Sequence, residues 1–400
     1  MKHLLEIHIL QNFAPSNLNR DDTGSPKDAI FGGVRRGRIS SQCLKRAARE
    51  YVRNHPNGLP QEVLALRTKR LVQVLVDQLE AKGRNKEEAR RKVEQALGGM
   101  GLKVVDEDKT QYLLFLGKQE IAKIADLIHQ HWDGLVAPQA EEEGAKKKAK
   151  DAKKAAKEAV SVEIKKALGS VLDGGKALDV ALFGRMLADL PEKNQDAACQ
   201  VAHAISTHAV EREFDFYTAV DDLKPDDNSG ADMIGTVEFN SACFYRYVAI
   251  DLEKLRENLQ GDTGLMLKGL EAFLKATVKA KPSGKQNSFA AHNDPEYVLF
   301  TVRQEADPRN LANAFEKPVR PNRNLSLTAM SAVRLEQKWR WLEACYGEAG
   351  KTFRLNAPEI DEADFRRNDK DENQRVGEPV TDLKTLIEKT LEAVREQMGV

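Results

Sequence analysis

LLEIHILQNFAPSNLNRDDTGSPKDAIFGGVRRGRISSQCLKRAAREYVR, residues 4–53, is the stretch from which the rest of the chain is read. It opens as a strand. Leu5, Ile7 and Ile9 alternate with Glu6 and His8, the period-2 pattern of a half-buried strand. A long loop is predicted next, punctuated by Pro15, Asn17, Asn19, Gly24, Pro26, Gly32, Gly33 and Gly37. A helix then starts near Ser40 or Ser41, either of which can cap it. On that helix Cys43, Leu44, Ala47, Ala48, Tyr51 and Val52 share one side, and Gln42, Lys45, Arg46, Arg49 and Arg53 the other. Between Gly33 and Arg53 stand seven Lys or Arg and one acid. Glycines permit close backbone approach, and a helix N-terminus favours an anion. A run of phosphates is the simplest ligand for such a surface. The bland alternative is a solvated basic face, since amphipathic helices usually carry charge outside.

Four hundred residues are enough for more than one lobe and a sizeable core. Lys+Arg and Asp+Glu are equal at 62 each, which counts against a polyanion binder that is basic all over. Local basic stripes remain compatible with that balance. No run approaches the ~18 apolar residues of a membrane span, and no basic-then-apolar signal segment is seen. Cys43, Cys199, Cys243 and Cys345 are far apart, without metal spacing or disulfide density. A cytoplasmic, reducing setting without membrane association is expected.

After a break at residues 57–60, residues 61–180 read as almost entirely helical, with Leu71, Val74, Leu75 and Leu79 on one stripe. Inside this lobe, Glu141–Lys166 is rich in Ala and Lys, and Lys146, Lys150, Lys153, Lys154 and Lys157 fall on one helical face. A solvated insertion is the other reading of that segment. Residues 196–210 read as a helix of small residues. Residues 211–240 read as an extended loop or loose hairpin with a polar tip, long enough to be functional. Strand character returns at 237–250 and 297–302, and helices are predicted at 251–259, 265–279, 327–346 and after Leu383. Trp339, Trp341 and Cys345 read as core anchors, and residues 347–380 as charged and irregular. The order strand, helix, helical insert, strands, helix, strand fits a ferredoxin-like α+β core.

There is no phosphate loop, no HExxH, no GxSxG and no kinase set. His129 and His131 lack nearby ligand partners, and His203 and His208 read as semi-buried histidines. His292 is the candidate lone catalytic histidine. Asp21, Asp22 and Asp28 suit either a magnesium site or the orientation of Arg20, Lys27 and nearby arginines, and the second reading is favoured.

NLNRDD at 17–22, KDAIFGG at 27–33 and RISSQCLKRA at 38–47 closely resemble the CasC backbone subunits of type I-E CRISPR Cascade, in the RAMP superfamily. FGRM at 183–186, AHAISTH at 202–208, FYTAVDDL at 216–223, FYRY at 244–247 and NAFEK at 313–317 resemble CasC segments in the same order. Residues 61–180 match poorly. The resemblance implies an RRM-like palm at 1–60, 181–209 and 241–400, helical fingers at 61–180 and a projecting thumb at 210–240. It implies a non-enzymatic, multicopy subunit that lines up with other copies of itself along a guide RNA (crRNA). Target DNA, other Cascade subunits and a separate recruited nuclease would be further partners, with no cofactor or metal. Carried onto matching positions, it nominates Asn19, Arg20, Lys27, Ser40, Gln42, Lys45 and Arg49 for guide phosphates. It nominates Met186, Phe216, Tyr217 and Val220 for displacing a base; Phe216 stands where the family has Trp. Lys150, Lys153, Lys154 and Lys157 match in type a lysine-rich helix that grips target DNA. Two rivals remain: a processing endoribonuclease of the same superfamily using His292 or His208, and a monomeric general RNA binder.

Overall fold

The strand that opens the chain lies at the centre of a large sheet. The computed structural model describes residues 2–56, 58–105, 108–135, 162–219, 222, 233–323, 325–347, 350–357 and 375–400. The chain divides into two units, one of residues 1–57, 199–253 and 267–400, the other of 58–198 and 254–266. The first holds β1 (His3–Ser16), β2 (Asp28–Phe31) and β3 (Val34–Ile39). The second holds β4 (Ala65–Thr68), β5 (Val104–Val105), β6 (Lys109–Thr110) and β7 (Leu114–Gly117). The first then resumes with β8 (Cys199–Val201), β9 (Ala204–Ser206), β10 (Glu213–Ala219), β11 (Met233–Asp251), β12 (Tyr297–Gln304), β13 (Lys351–Asn356) and β14 (Glu378–Pro379).

Among the described residues the first unit forms one sheet in the order β14-β13-β12-β1-β11-β9-β3-β2, with β8 and β10 also paired to β11. Within it, β1, helix 41–54, β8, β11, helix 263–279 and β12 follow the strand–helix–strand–strand–helix–strand order. The neighbours run β12-β1-β11-β8, every pair antiparallel. That is the RRM-like arrangement, and the fold class is α+β.

β1 is buried on both faces rather than one. Leu5, Ile7 and Ile9 pair with Val302, Phe300 and Val298, on the face where Arg246 donates to the Thr277 carbonyl of helix 263–279. Helix 383–398 packs against β12 and β13. On the opposite face Leu4, Leu10, Tyr245, Tyr247 and Leu299 share a core with Ala329, Ala332, Leu335 and Trp339 of helix 327–346. Glu6 and His8 are therefore inside, each with side-chain partners. Glu6 accepts from the Tyr247 hydroxyl and the Arg309 amide and lies 3.2 Å from the Arg303 guanidinium. His8 Nδ1 is 2.9 Å from the Tyr245 hydroxyl, and its ring sits among Tyr245, Tyr247 and Trp339.

Burial lowers the His8 pKa from 6.5 to about 3. The unfolded chain takes up this proton near 6.5 and the folded chain near 3, so the unfolded state binds more protons between them. Stability contributed by neutral His8 is therefore lost as pH falls from about 6.5, by up to about 1.4 kcal/mol per pH unit. Urea unfolding at pH 7, 5.5 and 4.5 is expected to show a shallower pH slope for His8→Gln than for the parent chain. Equal slopes would contradict a neutral buried imidazole.

β1 continues past the buried part through an irregularity. Phe13 pairs with Ala242 and Ser16 with Asn240, so Ala14 and Pro15 together face Ser241, a bulge with proline where no ladder bond is needed. The stretch after it is not one long loop. β2 and β3 form a hairpin closed by Gly32 and Gly33, with φ of 60° and 77°, the two positive values that a tight hairpin turn requires. Residues 196–210 are not helical either. They supply β8 and β9, whose small residues fit against β11. β13 and β14 interrupt the 347–380 segment that reads as irregular.

The second unit is built on helices 71–81, 86–99, 118–130, 162–171 and 178–183, with the short ladders β4–β7 and β5–β6 added. Leu71, Leu75, Leu79, Val93, Leu97, Ile121, Ile124 and Leu168 meet in its core. Residues 181–198 and 254–266, placed with the palm by the sequence reading, cluster with this unit. Asn258 Nδ2 donates to the carbonyls of both Ala181 and Asp196, at 2.9 Å each. No helix among the described residues is long and apolar enough to cross a membrane.

Candidate nucleic-acid interface

Helix 41–54 is held by Leu44, Ala48 and Val52, all buried. Leu44 shares a small core with Phe13, Leu18, Ile39 and Phe244, so the helix is fixed directly onto the loop that precedes it. Ser40 is the N-cap: its Oγ accepts from the Cys43 amide at 3.3 Å. The Ser40 amide in turn donates to Asn19 Oδ1 at 2.8 Å, and the Lys27 amide to the Asn19 carbonyl at 2.9 Å. Asn19 and Ser40 thus build the loop–helix junction through those atoms. Arg20 and Gln42 are exposed, and Lys27, Lys45 and Arg49 are half-buried. A cleft of about 490 Å³ is lined here by Asn19, Arg20, Cys43, Arg46, Glu50 and Gly284, among others. Gly284 is required: a Cβ there would come within 2.3 Å of the Leu18 carbonyl oxygen.

The arginines just before the helix divide by role. Arg36 is fully buried and donates to the carbonyls of Phe31, Ser206, Phe315 and Glu316 at 2.7–3.2 Å. It is a tie between β3 and the loop at 315–316, so it drops out of the basic surface that the sequence suggests. Arg38 donates to the Asp28 carbonyl and to His203 Nδ1 at 2.8 Å. Burial and the nearby Arg38 charge hold His203 below its ordinary pKa, so it acts as the acceptor. Arg46 pairs with Glu50 one turn on.

The acids are engaged locally. Asp21 Oδ1 accepts from the Thr23 hydroxyl and from the amides of Thr23 and Ser25. The Thr23 hydroxyl, with those amides, pulls the carboxyl below its usual range. Burial works to raise Asp28, but hydrogen bonds from Arg212 and Arg35 outweigh it and leave it below its usual range. Arg212 reaches Asp28 Oδ2 at 2.7 Å through Nη2 and 3.1 Å through Nε, and Glu238 Oε2 at 3.1 Å through Nη1. Asp22 is exposed.

β10 and β11 form the hairpin of the 210–240 region. β10 is exposed along its whole length, and Phe216 and Tyr217 face Thr236 and Gly235 across the ladder. Phe214 and Phe216 are each 65% exposed, on the same face as Ile234 at 63%. Tyr217, on the other face, lies across Gly235, where a Cβ would meet its ring at 2.4 Å. This glycine makes room for the aromatic. Val220 lies outside the described residues, as do Lys150, Lys153, Lys154 and Lys157.

Met186 belongs to the helical unit and is 77% exposed between two buried neighbours, Arg185 and Leu187. Its segment is pinned. Arg185 and Gln195 exchange both backbone hydrogen bonds at 2.9 Å, and the Leu187 amide donates to Asn194 Oδ1. The Arg185 guanidinium is paired with Glu120, both side chains buried.

The histidines take different positions. His292 is exposed. His208 Nδ1 donates to the Ala209 carbonyl at 2.8 Å while Nε2 accepts from the Cys243 amide at 3.4 Å, so both ring nitrogens hold backbone. No group of three His, Cys, Asp or Glu suited to a metal ion occurs among the described residues.

Two features escaped the sequence reading. Arg212 is one; its only signal was a cation at the base of a predicted hairpin. Trp341 and Cys345 are the other: Trp339 is a core anchor, but Trp341 is 53% exposed, with Lys338 Nζ 4.3 Å from its ring centre. Cys345 is exposed too. Their spacing turns them off the face that carries Trp339.

Comparison with known proteins follows the same outline. A chain of a solved structure described as "CRISPR RNA-guided surveillance complex, pre-nicking" is 28% identical, with a TM-score of 0.81 over 98% of this chain and 99% of that one. A chain of a second, "CRISPR RNA-guided surveillance complex", shares the fold at 24% identity and a TM-score of 0.70, over 98% and 99%. A search of curated proteins found no match. The family model for CT1975-like protein matches residues 5–382, and the chain belongs to that family.

Proposed function

We propose that this chain is the guide-RNA-binding backbone subunit of a CRISPR RNA-guided surveillance complex, present in several copies along the guide. The whole-length likeness to a chain of such a complex supports membership. The role rests on one observation: a cation-bearing loop–helix face and an exposed aromatic hairpin stand on the same RRM-like unit. An ordinary RRM stacks bases on its open sheet face. Here helix 327–346 covers one face and helices 263–279 and 383–398 the other. RNA is left with the loop, the helix end and the hairpin.

In this reading Arg20, Lys27, Gln42, Lys45 and Arg49 hold guide phosphates, over a junction that Asn19 and Ser40 set. Phosphate contacts carry no sequence preference, which suits a subunit that must accept any guide. Phe216, Tyr217 and Val220 of one copy wedge against a base of the strand held by its neighbour, and Met186 contributes a second apolar surface. Lys150, Lys153, Lys154 and Lys157 meet target DNA, whose cleavage falls to a separate nuclease. The engaged ring of His208 favours this non-enzymatic role over the endoribonuclease reading. The work is done in the cytoplasm.

The test is the salt dependence of RNA binding. Lys45→Ala with Arg49→Ala is expected to weaken binding alike for guides of unrelated sequence. It should flatten the plot of log K against log salt by about 0.7 per lost phosphate contact. An unchanged slope would remove these two residues from the interface. Metal-independent cleavage of repeat RNA by the purified chain, abolished by His292→Ala, would instead support the endoribonuclease.

A further inference from the structure

Arg212 sits where the hairpin leaves the sheet, and its guanidinium joins two elements that the proposed function uses separately. It holds Asp28, next to Lys27 on the loop, and Glu238 on the opposite strand of the hairpin. Arg35 of β3 donates to the same Asp28 oxygen, Oδ2, that Arg212 reaches. Asn17, on the loop, donates through Nδ2 to the Glu238 carbonyl at 2.9 Å and to the Gly24 carbonyl at 2.9 Å. The Lys27 backbone is fixed in both directions, its amide to Asn19 and its carbonyl to the Arg38 amide, each at 2.9 Å. The side chains of Arg212, Asp28 and Glu238 are 30%, 20% and 24% exposed. Charges shielded to that degree are less screened by salt than those on an open surface.

We infer that Arg212, Asp28 and Glu238 form a clamp that sets the hairpin at a fixed angle to the phosphate-holding loop, so that Arg212 and Asp28 are positioning residues for base displacement. The inference rests on the guide-RNA reading above. It assigns these residues no contact with a base. Their work is geometric: a wedge on a two-stranded arm acts at a set distance from the held phosphates only if its root cannot swing. Arg suits the position because its planar fork reaches two carboxylates at once, which a lysine ammonium cannot do in the same geometry.

The experiment uses the full chain assembled on its guide RNA with a complementary DNA strand, and two readouts. The salt slope reports phosphate contacts, and periodic permanganate reactivity of thymines reports displaced bases. Arg212→Gln is expected to leave the salt slope unchanged and to reduce the contrast of the periodic pattern at least about fivefold. Asp28→Asn should do the same, and Arg212→Lys should retain part of the contrast. If Arg212→Gln does not fold, Arg212→Lys is measured in its place with the same expected direction. A wild-type pattern in Arg212→Gln and Asp28→Asn overturns the clamp while leaving the backbone reading intact. A slope that falls with the pattern overturns it as well, since Arg212 would then be a phosphate ligand. No periodic pattern in the parent chain removes the base-displacement reading itself, and the clamp with it.

Discussion

Glu120→Ala is expected to destabilise the helical unit by about 3–5 kcal/mol, the cost of stripping a buried charge of its partner. The Glu120 side chain is fully buried. Its two oxygens accept from Arg185 Nη1 at 2.8 Å each, from the Gly117 amide at 2.7 Å and from the Gly174 amide at 2.9 Å. Alanine leaves a guanidinium and two amides without those acceptors, with no route to water except by opening the unit. Glu120→Gln keeps one oxygen and should fall between the two. Denaturant unfolding followed by circular dichroism measures the loss; a change below about 1 kcal/mol would mean that Arg185 finds other acceptors. The effect reaches the surface. Arg185 is the residue before Met186, so its anchoring is what presents an exposed methionine at a defined place.

Phe216→Ala with Tyr217→Ala is expected to have the opposite profile, with little change in stability and a large loss of function. Both rings stand on an exposed arm, and exposed substitutions usually fall within about 0.5 kcal/mol. Base wedging or stacking is worth ~1–3 kcal/mol per base, multiplied over the copies on one guide. The double variant should therefore remain folded and soluble while ordered assembly on RNA is impaired and the periodic sensitivity of the bound strands disappears. Electron microscopy of protein copurified with small RNA, with permanganate footprinting, reads both. Unfolding of the variant would make the pair structural. Persistence of both assembly and periodicity would remove the wedge.

What could be read from sequence, and what could not, follows from the range of the interactions. Helix 41–54 was legible because its cap and its apolar stripe are local. So was helix 327–346, by the same logic. The aromatic arm was legible because two adjacent aromatics in an extended segment cannot face one small core. Glu6 and His8 were misread as a solvent face, since the partners of Glu6 (Tyr247, Arg303 and Arg309) and of His8 (Tyr245) lie more than two hundred residues away. β8 and β9 were misread because short stretches of small residues have no decisive period, and only pairing with β11 makes them strands. Arg36 showed as one more cation in a basic run. Nothing nearby in sequence announces that it closes on the carbonyls of residues 315 and 316.

β11 is one uninterrupted strand with two environments, exposed from Met233 and buried by Ala242. Its alternation is locked at the core end by pairing with β1. The arm therefore inherits its handedness of presentation from the core. Adding one residue to each strand of the arm would turn Phe216 to the side that Tyr217 occupies now; adding two would restore it. The reach of the arm is consequently quantised. Without a compensating bulge it can lengthen or shorten only in steps of two residues per strand, about 7 Å each. Parity, rather than length alone, is what the core imposes on it.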